Sequence, residues 1–465
     1  MKVFDASDQN HFASLSGDCN PIHTDPILAR RTQAGDCVVH GVHAVLWALD
    51  TLIERRLVKE PIAALDVRFQ KFLYAGAGVE INVRPSADAS LRIELISEDI
   101  ITTTIDVLYG EPAGETRAVR NFAPVSCTSP QELDLENIVG ASGRLANDGS
   151  DRVAAEFPHV SRAIGPQRAA AITRLSMLVG MVCPGLNSIF SSFSIRMTSD
   201  APESDLTFEV FGVDERFRMA EIAVAGAGIA GTVVAFVRRP PVQQPSLEEL
   251  RPLVGGDEFA GTTALIVGGS RGLGALTGKL IAAGGGRIAL TYATGESDAL
   301  AIAQEIGTES SRVLPYDARK DAQAQIARLE WKVDQIYYFA TTPIFRQKTR
   351  SYSPARFSEF CEIYIDGFAD LCSALRANGN TPLRAFYPSS IAVKTRPRDL
   401  TEYAMAKAGG EILCADMNRF VRDLRVLVRR LPRLLTDQTA TVMPSETADA
   451  VETMLPIVRE MHGPF

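Results

Sequence analysis

Apolar residues run nearly all the way round a helical projection of residues 38–49, so this stretch is predicted to be a buried helix. Behind it lie segments of strand length and strand composition at 64–69, 79–83, 91–96 and 100–109. The middle of the chain repeats that plan. A helix-like run over 164–182 is stopped by Pro184-Gly185 and followed by strand-like runs at 188–197, 206–213, 219–225 and 232–238. After the extended stretch Arg238-Arg239-Pro240-Pro241 the rhythm changes to alternating strands and helices, the sign of a parallel α/β sheet. A continuously apolar strand at 263–267 leads through a glycine-rich turn into a helix at 275–283. Further strands are expected at 287–294, 312–315 and 385–387, and a last helix at 446–461.

A chain of 465 residues exceeds what one core sustains. The pattern divides it at 1–125, 126–240 and 255–465, with 241–254 as a linker. The charged fraction of 22% and hydrophobic fraction of 46% are those of a globular protein. A formal net charge of −8 argues against nucleic acid or an anionic membrane as partner. The seven cysteines are scattered with no CxxC pair, which suits reduced thiols. With no signal peptide and no run of about 18 apolar residues in view, a cytoplasmic setting is expected.

Candidate chemistry concentrates first in Phe12-Ala-Ser-Leu-Ser-Gly-Asp18-Cys-Asn20-Pro21-Ile-His23. A turn through Asn20-Pro21 brings a carboxylate and an imidazole to one spot, as a general acid/base pair requires. Alone, an acid and a histidine at this spacing are more often ordinary turn residues and a structural histidine. The longer pattern, however, resembles the signature of the MaoC-like, (R)-specific enoyl-thioester hydratases of the hotdog fold. Phe12, Ser16, Gly17-Asp18, Asn20-Pro21-Ile22-His23 and Ala29 fit it, and His40-Gly41 follows at the family's distance. The resemblance implies that Asp18 and His23 activate a water that adds to an enoyl thioester, and that the Gly41 N–H, at the start of the buried helix, polarises the thioester carbonyl. Ser16 and Asn20 shape the turn, and His40 belongs to the helix entry. His40 and His43 lack a third ligand, so no metal is expected. The family's fold is one buried helix wrapped by a sheet. The repeated plan therefore reads as a second hotdog, without the motif, so that the two make an α+β double hotdog whose second half is non-catalytic. His159, in that half, reads as a surface or capping residue.

The third segment resembles the short-chain dehydrogenase/reductases. Its turn Gly268-Gly269-Ser270-Arg271-Gly272-Leu273-Gly274 carries that family's glycine spacing between strand and helix. Asp317 matches the acid near the adenine. Ser390, followed thirteen residues later by Tyr403 and then by Lys407, matches the catalytic set. The implied roles are a lysine ammonium that lowers the tyrosine pKa, a phenol that protonates the ketone oxygen, and a serine that hydrogen-bonds it. The implied fold is an α/β Rossmann-like doubly wound parallel sheet. The second strand offers no acid before Glu296, and Arg271 stands in the turn, so NADP(H) is the expected cofactor, with Thr436 near its carboxamide. The sequence departs from the family at Tyr338-Phe339-Ala340-Thr341, where Asn-Asn-Ala-Gly is usual. It departs again at Tyr364, where an asparagine supports a proton relay, and at Pro432-Arg433 in place of Pro-Gly. The family's last strand and long lid are not visible.

Together the two resemblances imply a bifunctional 3-ketoacyl-thioester reductase and (R)-3-hydroxyacyl-thioester dehydratase, acting on CoA or acyl-carrier-protein substrates in fatty acid metabolism as a homodimer. The alternatives are the degradative direction, and a hydratase whose reductase-like domain is structural or only binds nucleotide.

Overall fold

The computed structural model describes residues 1–85, 90–114, 122–199, 205–345, 352–440 and 446–463. It contains two compact units, the first comprising Met1–Pro240 and the second beginning at Pro241.

The first unit is built on one antiparallel sheet of ten strands. They are β1 (Lys2–Val3), β2 (Ile62–Phe69), β3 (Gly78–Pro85), β4 (Ser90–Ser97), β5 (Ile100–Tyr109), β6 (Ser142–Leu145), β7 (Ser188–Met197), β8 (Leu206–Asp214), β9 (Met219–Gly226) and β10 (Ile229–Val237). Their spatial order, β1-β3-β4-β5-β2-β7-β10-β9-β8-β6, contains a symmetry. Each half of the sheet has its first strand at the edge and its second strand at the centre. The halves join where β2 pairs antiparallel with β7, Ala64 opposite Arg196 and Arg68 opposite Ser192.

Alternation along β9 turns Ala220, Ile222 and Val224 inward, while Met219, Glu221 and Ala223 are less covered. Against the covered face lie the helices Gly41–Glu54 and Pro166–Met177. Val42, Val45, Leu46 and Leu49 of one and Ala170, Ile172 and Leu175 of the other belong to a single apolar core that spans both halves. Burial at this scale, at roughly 25 cal/mol per Å² of apolar surface, is the main favourable term holding the halves together.

The second unit carries six parallel strands: β11 (Thr263–Val267), β12 (Arg287–Tyr292), β13 (Ser311–Pro315), β14 (Gln335–Tyr338), β15 (Leu383–Ser390) and β16 (Leu424–Leu431). Their order is β13-β12-β11-β14-β15-β16. Counted within the unit this is 3-2-1-4-5-6, the doubly wound order whose switch point, here between β11 and β14, opens a crevice at the strand ends. Every residue of β11 is buried because the sheet is covered on both faces. Leu265 and Val267 enter one core, Ala264 and Ile266 the other.

Several expected boundaries shift. The edge strands β1 and β6, of two and four residues, are too short to show periodicity and escape sequence reading. The helix expected over 164–182 begins only at Pro166, because Gly165 adopts φ +93° and breaks it from the preceding helix Pro158–Ile164. Its last turn, Leu178–Val182, is π-helical. The expected linker 241–254 is partly structured: Ser246 caps the short helix Leu247–Leu250, and Leu247, Leu250 and Val254 are buried in the second unit. The final helix runs Ala450–His462, starting four residues later than expected with Asp449 as its cap.

Candidate active sites

The Gly-Asp-x-Asn-Pro-x-His pattern is helix punctuation. The helix Ala6–Ser16 ends at Gly17, whose φ of +82° is the left-handed conformation that reverses the chain. Ser16 Oγ donates to Phe12 O and accepts the Asp18 N–H at 3.1 Å. Asn20 then caps the short helix Pro21–Thr24, its Oδ1 accepting the Ile22 N–H, with Pro21 at the first helical position. Ser16 and Asn20 thus shape the turn. Between the two helix ends Asp18 is pushed inward and His23 follows one turn later.

Asp18 is only 2% exposed. Its Oδ2 lies 3.9 Å from His23 Nε2. Two atoms so spaced can both hydrogen-bond one water. The His23 Nδ1 lies 2.8 Å from the Val38 carbonyl, which can only accept, so Nδ1 carries the proton and Nε2 turns a lone pair into the site. Burial raises the pKa of Asp18, partly offset by His23 and by hydrogen bonds from Ser176 and Asn20.

His40 caps the helix Gly41–Glu54 and stacks on His23 with ring centroids 3.8 Å apart. Its Nδ1 faces Gln9 Oε1 and its Nε2 faces Asp18 O, both at 3.0 Å. Burial holds its pKa well below the usual value, so it adds no positive charge beside His23. Asp18, His23 and His40 could bring three donor atoms within 4.8 Å of one another. His40 turns one nitrogen to each of two oxygens, Gln9 Oε1 and Asp18 O, and its neutral ring has a single N–H to give them. His43 stacks on Phe12 at 4.6 Å, and burial lowers its pKa to about 3. The N–H of Gly41, first in its helix, has no acceptor among the described residues. A side chain at Gly41 would strike the Phe69 ring at 2.6 Å, so glycine is what fits at this helix start. His159, expected as a surface or capping residue, stands in the first turn of its helix, where Asp50 Oδ1 accepts its N–H and that of Val160, and its ring meets the Arg162 guanidinium.

Sequence reasoning missed the wall opposite. Ser176, Arg174 and Gly180, from the half without the motif, all touch this turn. Ser176 Oγ donates to Asp18 Oδ2 at 2.6 Å, Arg174 Nη1 to Ser16 O at 2.8 Å, and Asn20 Nδ2 to Gly180 O at 2.8 Å. The available signal was polar residues inside an otherwise apolar helical run.

In the second unit Gly268 (φ +76°) ends β11, and its N–H donates to Thr291 Oγ1. A side chain on Gly274 would lie 2.2 Å from Gly268 O, so only glycine lets the helix Gly272–Ala283 begin so close to the strand. Arg271 occupies the N-cap of that helix without a side-chain cap hydrogen bond, which leaves first-turn N–H groups for an anion. Ser270 is buried and Leu273 half-buried beside it. This cradle fits a dinucleotide pyrophosphate.

Three residues expected at the nucleotide also make contacts within the chain. Arg271 is not simply presented to a ligand: its Nη2 pairs with the buried Asp437 at 2.9 Å. Asp437 Oδ1 also accepts the Val242 N–H. Asp317 spends its carboxylate on the Arg319 backbone and guanidinium. Thr436 bonds Thr439 through N–H and hydroxyl.

Ser390, Tyr403 and Lys407 do come together. Ser390 Oγ accepts the Ala392 N–H at 3.2 Å. Tyr403 and Lys407 share a face of the helix Thr401–Phe420. Burial raises the pKa of Tyr403, and the neighbouring Ser390 hydroxyl opposes the rise. The Lys407 ammonium donates to Pro388 O at 2.7 Å and sits 3.8 Å from the Tyr364 ring centroid, against 5.9 Å from that of Tyr403. Burial lowers its pKa to about 7. Tyr364 lies in a second π-helical turn, Glu362–Asp366, and its hydroxyl meets Thr341 Oγ1 at 2.6 Å.

No protein of curated function matches the chain. Among solved structures it is similar to a gluconate 5-dehydrogenase from Burkholderia cenocepacia in complex with NADP and tartrate (17% identity over 44% of this chain and 90% of that one, TM-score 0.39). It is similar also to a blue fluorescent protein from a metagenomic library in complex with NADPH (20%, 44% and 92%, TM-score 0.40). A third is a short-chain dehydrogenase/reductase of the glucose/ribitol dehydrogenase type from Brucella melitensis (17%, 44% and 91%, TM-score 0.39). Residues 3–104, which hold Asp18, His23 and Gly41, match the family model described as the MaoC like domain.

Proposed function

We propose that the chain is a bifunctional enzyme of acyl thioesters, an (R)-specific enoyl-thioester hydratase/3-hydroxyacyl-thioester dehydratase joined to an NADPH-dependent 3-ketoacyl-thioester reductase. In this reading residues 1–125 and 126–240 form a double hotdog, supported by the mirrored strand order, and 255–465 form the reductase. The observation that carries it is Asp18 and His23 Nε2, 3.9 Å apart, beside an unengaged Gly41 N–H. One water held by Asp18 and His23 delivers its oxygen to C3 and a proton to C2, and the Gly41 N–H takes the charge that develops on the thioester oxygen. Dehydration is the reverse.

In the reductase, Gly268, Ser270, Arg271, Gly272, Leu273 and Gly274 would hold the nucleotide, and Asp317 and Thr436 would stand at its adenine and nicotinamide ends. The cofactor supplies hydride when bound. Tyr403 donates the proton to the carbonyl oxygen, Ser390 orients that oxygen, and Lys407 supplies positive charge nearby. CoA and carrier-protein thioesters share the chemistry used here, and a homodimer is the proposed assembly. No helix among the described residues is long and apolar enough to cross a membrane.

A second reading, in which the 255–465 segment binds nucleotide without reducing, is favoured by Tyr364 standing under Lys407. Acetoacetyl-CoA with NADPH decides between them. Cofactor consumption that disappears in Tyr403→Phe supports the reductase, and no consumption with CoA or carrier-protein substrates leaves the second reading.

A further inference from the structure

The half of the first unit without the motif reaches into the hydration site through one hydroxyl. Thr173 shows what a helical hydroxyl does by default, donating to the carbonyl four residues back, Ala169 O. Ser176, three residues on, gives its proton to Asp18 Oδ2 instead, at 2.6 Å and across 158 residues of sequence. Both residues are buried, Ser176 4% and Asp18 2% exposed, so water does not compete for this bond. The other carboxylate oxygen, Oδ1, accepts the Asn20 N–H at 3.2 Å. The two donors lie on opposite oxygens and together fix the carboxylate plane, which one donor alone would leave free to rotate. The contacts around Ser176 hold it in register: Arg174 is bonded to Ser16 O and Gly180 O to Asn20.

We infer that Ser176 is a positioning residue of the hydration site, holding the Asp18 carboxylate in the plane that shares a water with His23, so that the half lacking the motif is a working part of the centre. This rests on the hydratase reading for its consequence in rate, but the orientation of Asp18 can be followed without turnover. Residues 1–125 alone would then lack one of the two donors that hold the carboxylate.

The test uses the full chain with Ser176→Ala and Ser176→Thr. The titration of the Asp18 carboxyl is followed by NMR on protein carrying ¹³C-carboxyl aspartate, and its resonance is assigned by its loss in Asp18→Asn. Crotonyl-CoA hydration is measured across pH on the same samples. Removing a hydroxyl donor should move the Asp18 midpoint upward and lower kcat roughly tenfold or more, with KM within about twofold, since a hydrogen bond to a charged group is lost. The acidic limb of the rate profile should move with the midpoint, and Ser176→Thr should restore both. An unmoved midpoint and an unchanged kcat in folded Ser176→Ala overturn the inference and leave the hydratase reading standing. A moved midpoint in a chain whose unmodified form hydrates no enoyl thioester sustains the positioning role and defeats the hydratase reading instead.

Discussion

Gly180 presses against Asp18: a methyl group in place of its hydrogen would lie 2.3 Å from Asp18 Oδ1. The π-helical turn Leu178–Val182 brings the backbone this near, a local irregularity often found where a site is built. Gly180→Ala should therefore displace the carboxylate without unfolding the unit. Displacements near 1 Å cost about a hundredfold in rate. Hydration kinetics beside circular dichroism check this: kcat should fall by roughly that factor with the fold retained.

The burial of Asp18 sets a pH dependence. Its folded pKa is raised, so the folded state binds the proton more tightly than the unfolded chain does. The carboxylate is lost on acidification earlier than for an ordinary aspartate, and the hydration rate should fall with it. For stability, the favourable protonated state is fully present below the unfolded pKa and lost as pH rises through the folded one. At neutral pH the buried charge is thus a cost. Asp18→Asn should raise Tm at pH 7, by roughly 2–4 °C per kcal/mol relieved, and the gain should shrink towards low pH. Thermal unfolding of the two proteins across pH measures it.

What was legible in the sequence were features written in local spacing. The Gly17–His23 turn, the glycines at 268, 272 and 274, and the Tyr403–Lys407 pair each occupy one stretch of chain, and the structure brings the members of each together. Partners supplied from elsewhere were not legible. Ser176 is an ordinary helical serine until packing places it on Asp18, and Asp437 shows no sign in the sequence that it will claim Arg271. The edge strands β1 and β6 follow the same logic, since their pairing with β3 and β8 comes from the sheet and not from their own few residues.

The reductase should respond to pH in the opposite sense. Lys407 is buried with its pKa lowered to about 7, so its ammonium is present below that pH and lost above it. Ketone reduction is expected to decline as pH rises through about 7, whereas hydration declines as pH falls. Reduction of acetoacetyl-CoA followed from pH 6 to 9 gives the profile, and Lys407→Met should flatten it at a low rate.

Arg271 bears on the choice of nucleotide. Asp437 competes with a 2′-phosphate for the same guanidinium. Asp437→Asn should tighten NADPH binding, and Arg271→Ala should weaken NADPH by about tenfold or more while changing NADH little, the loss of one charge-assisted contact. Titration by nicotinamide fluorescence reads both affinities. Equal losses for NADH and NADPH in Arg271→Ala would assign the arginine to shaping the turn.

The most direct measurement is the hydration of crotonyl-CoA by the intact chain, followed by loss of enoyl-thioester absorbance, with the product's configuration determined. The expected result is (R)-3-hydroxybutyryl-CoA, with kcat reduced about 10²- to 10⁴-fold in both Asp18→Asn and His23→Ala. Hydration that survives undiminished in folded Asp18→Asn, or none by the unmodified protein on CoA or carrier-protein enoyl thioesters, would contradict a hydratase centre at this turn.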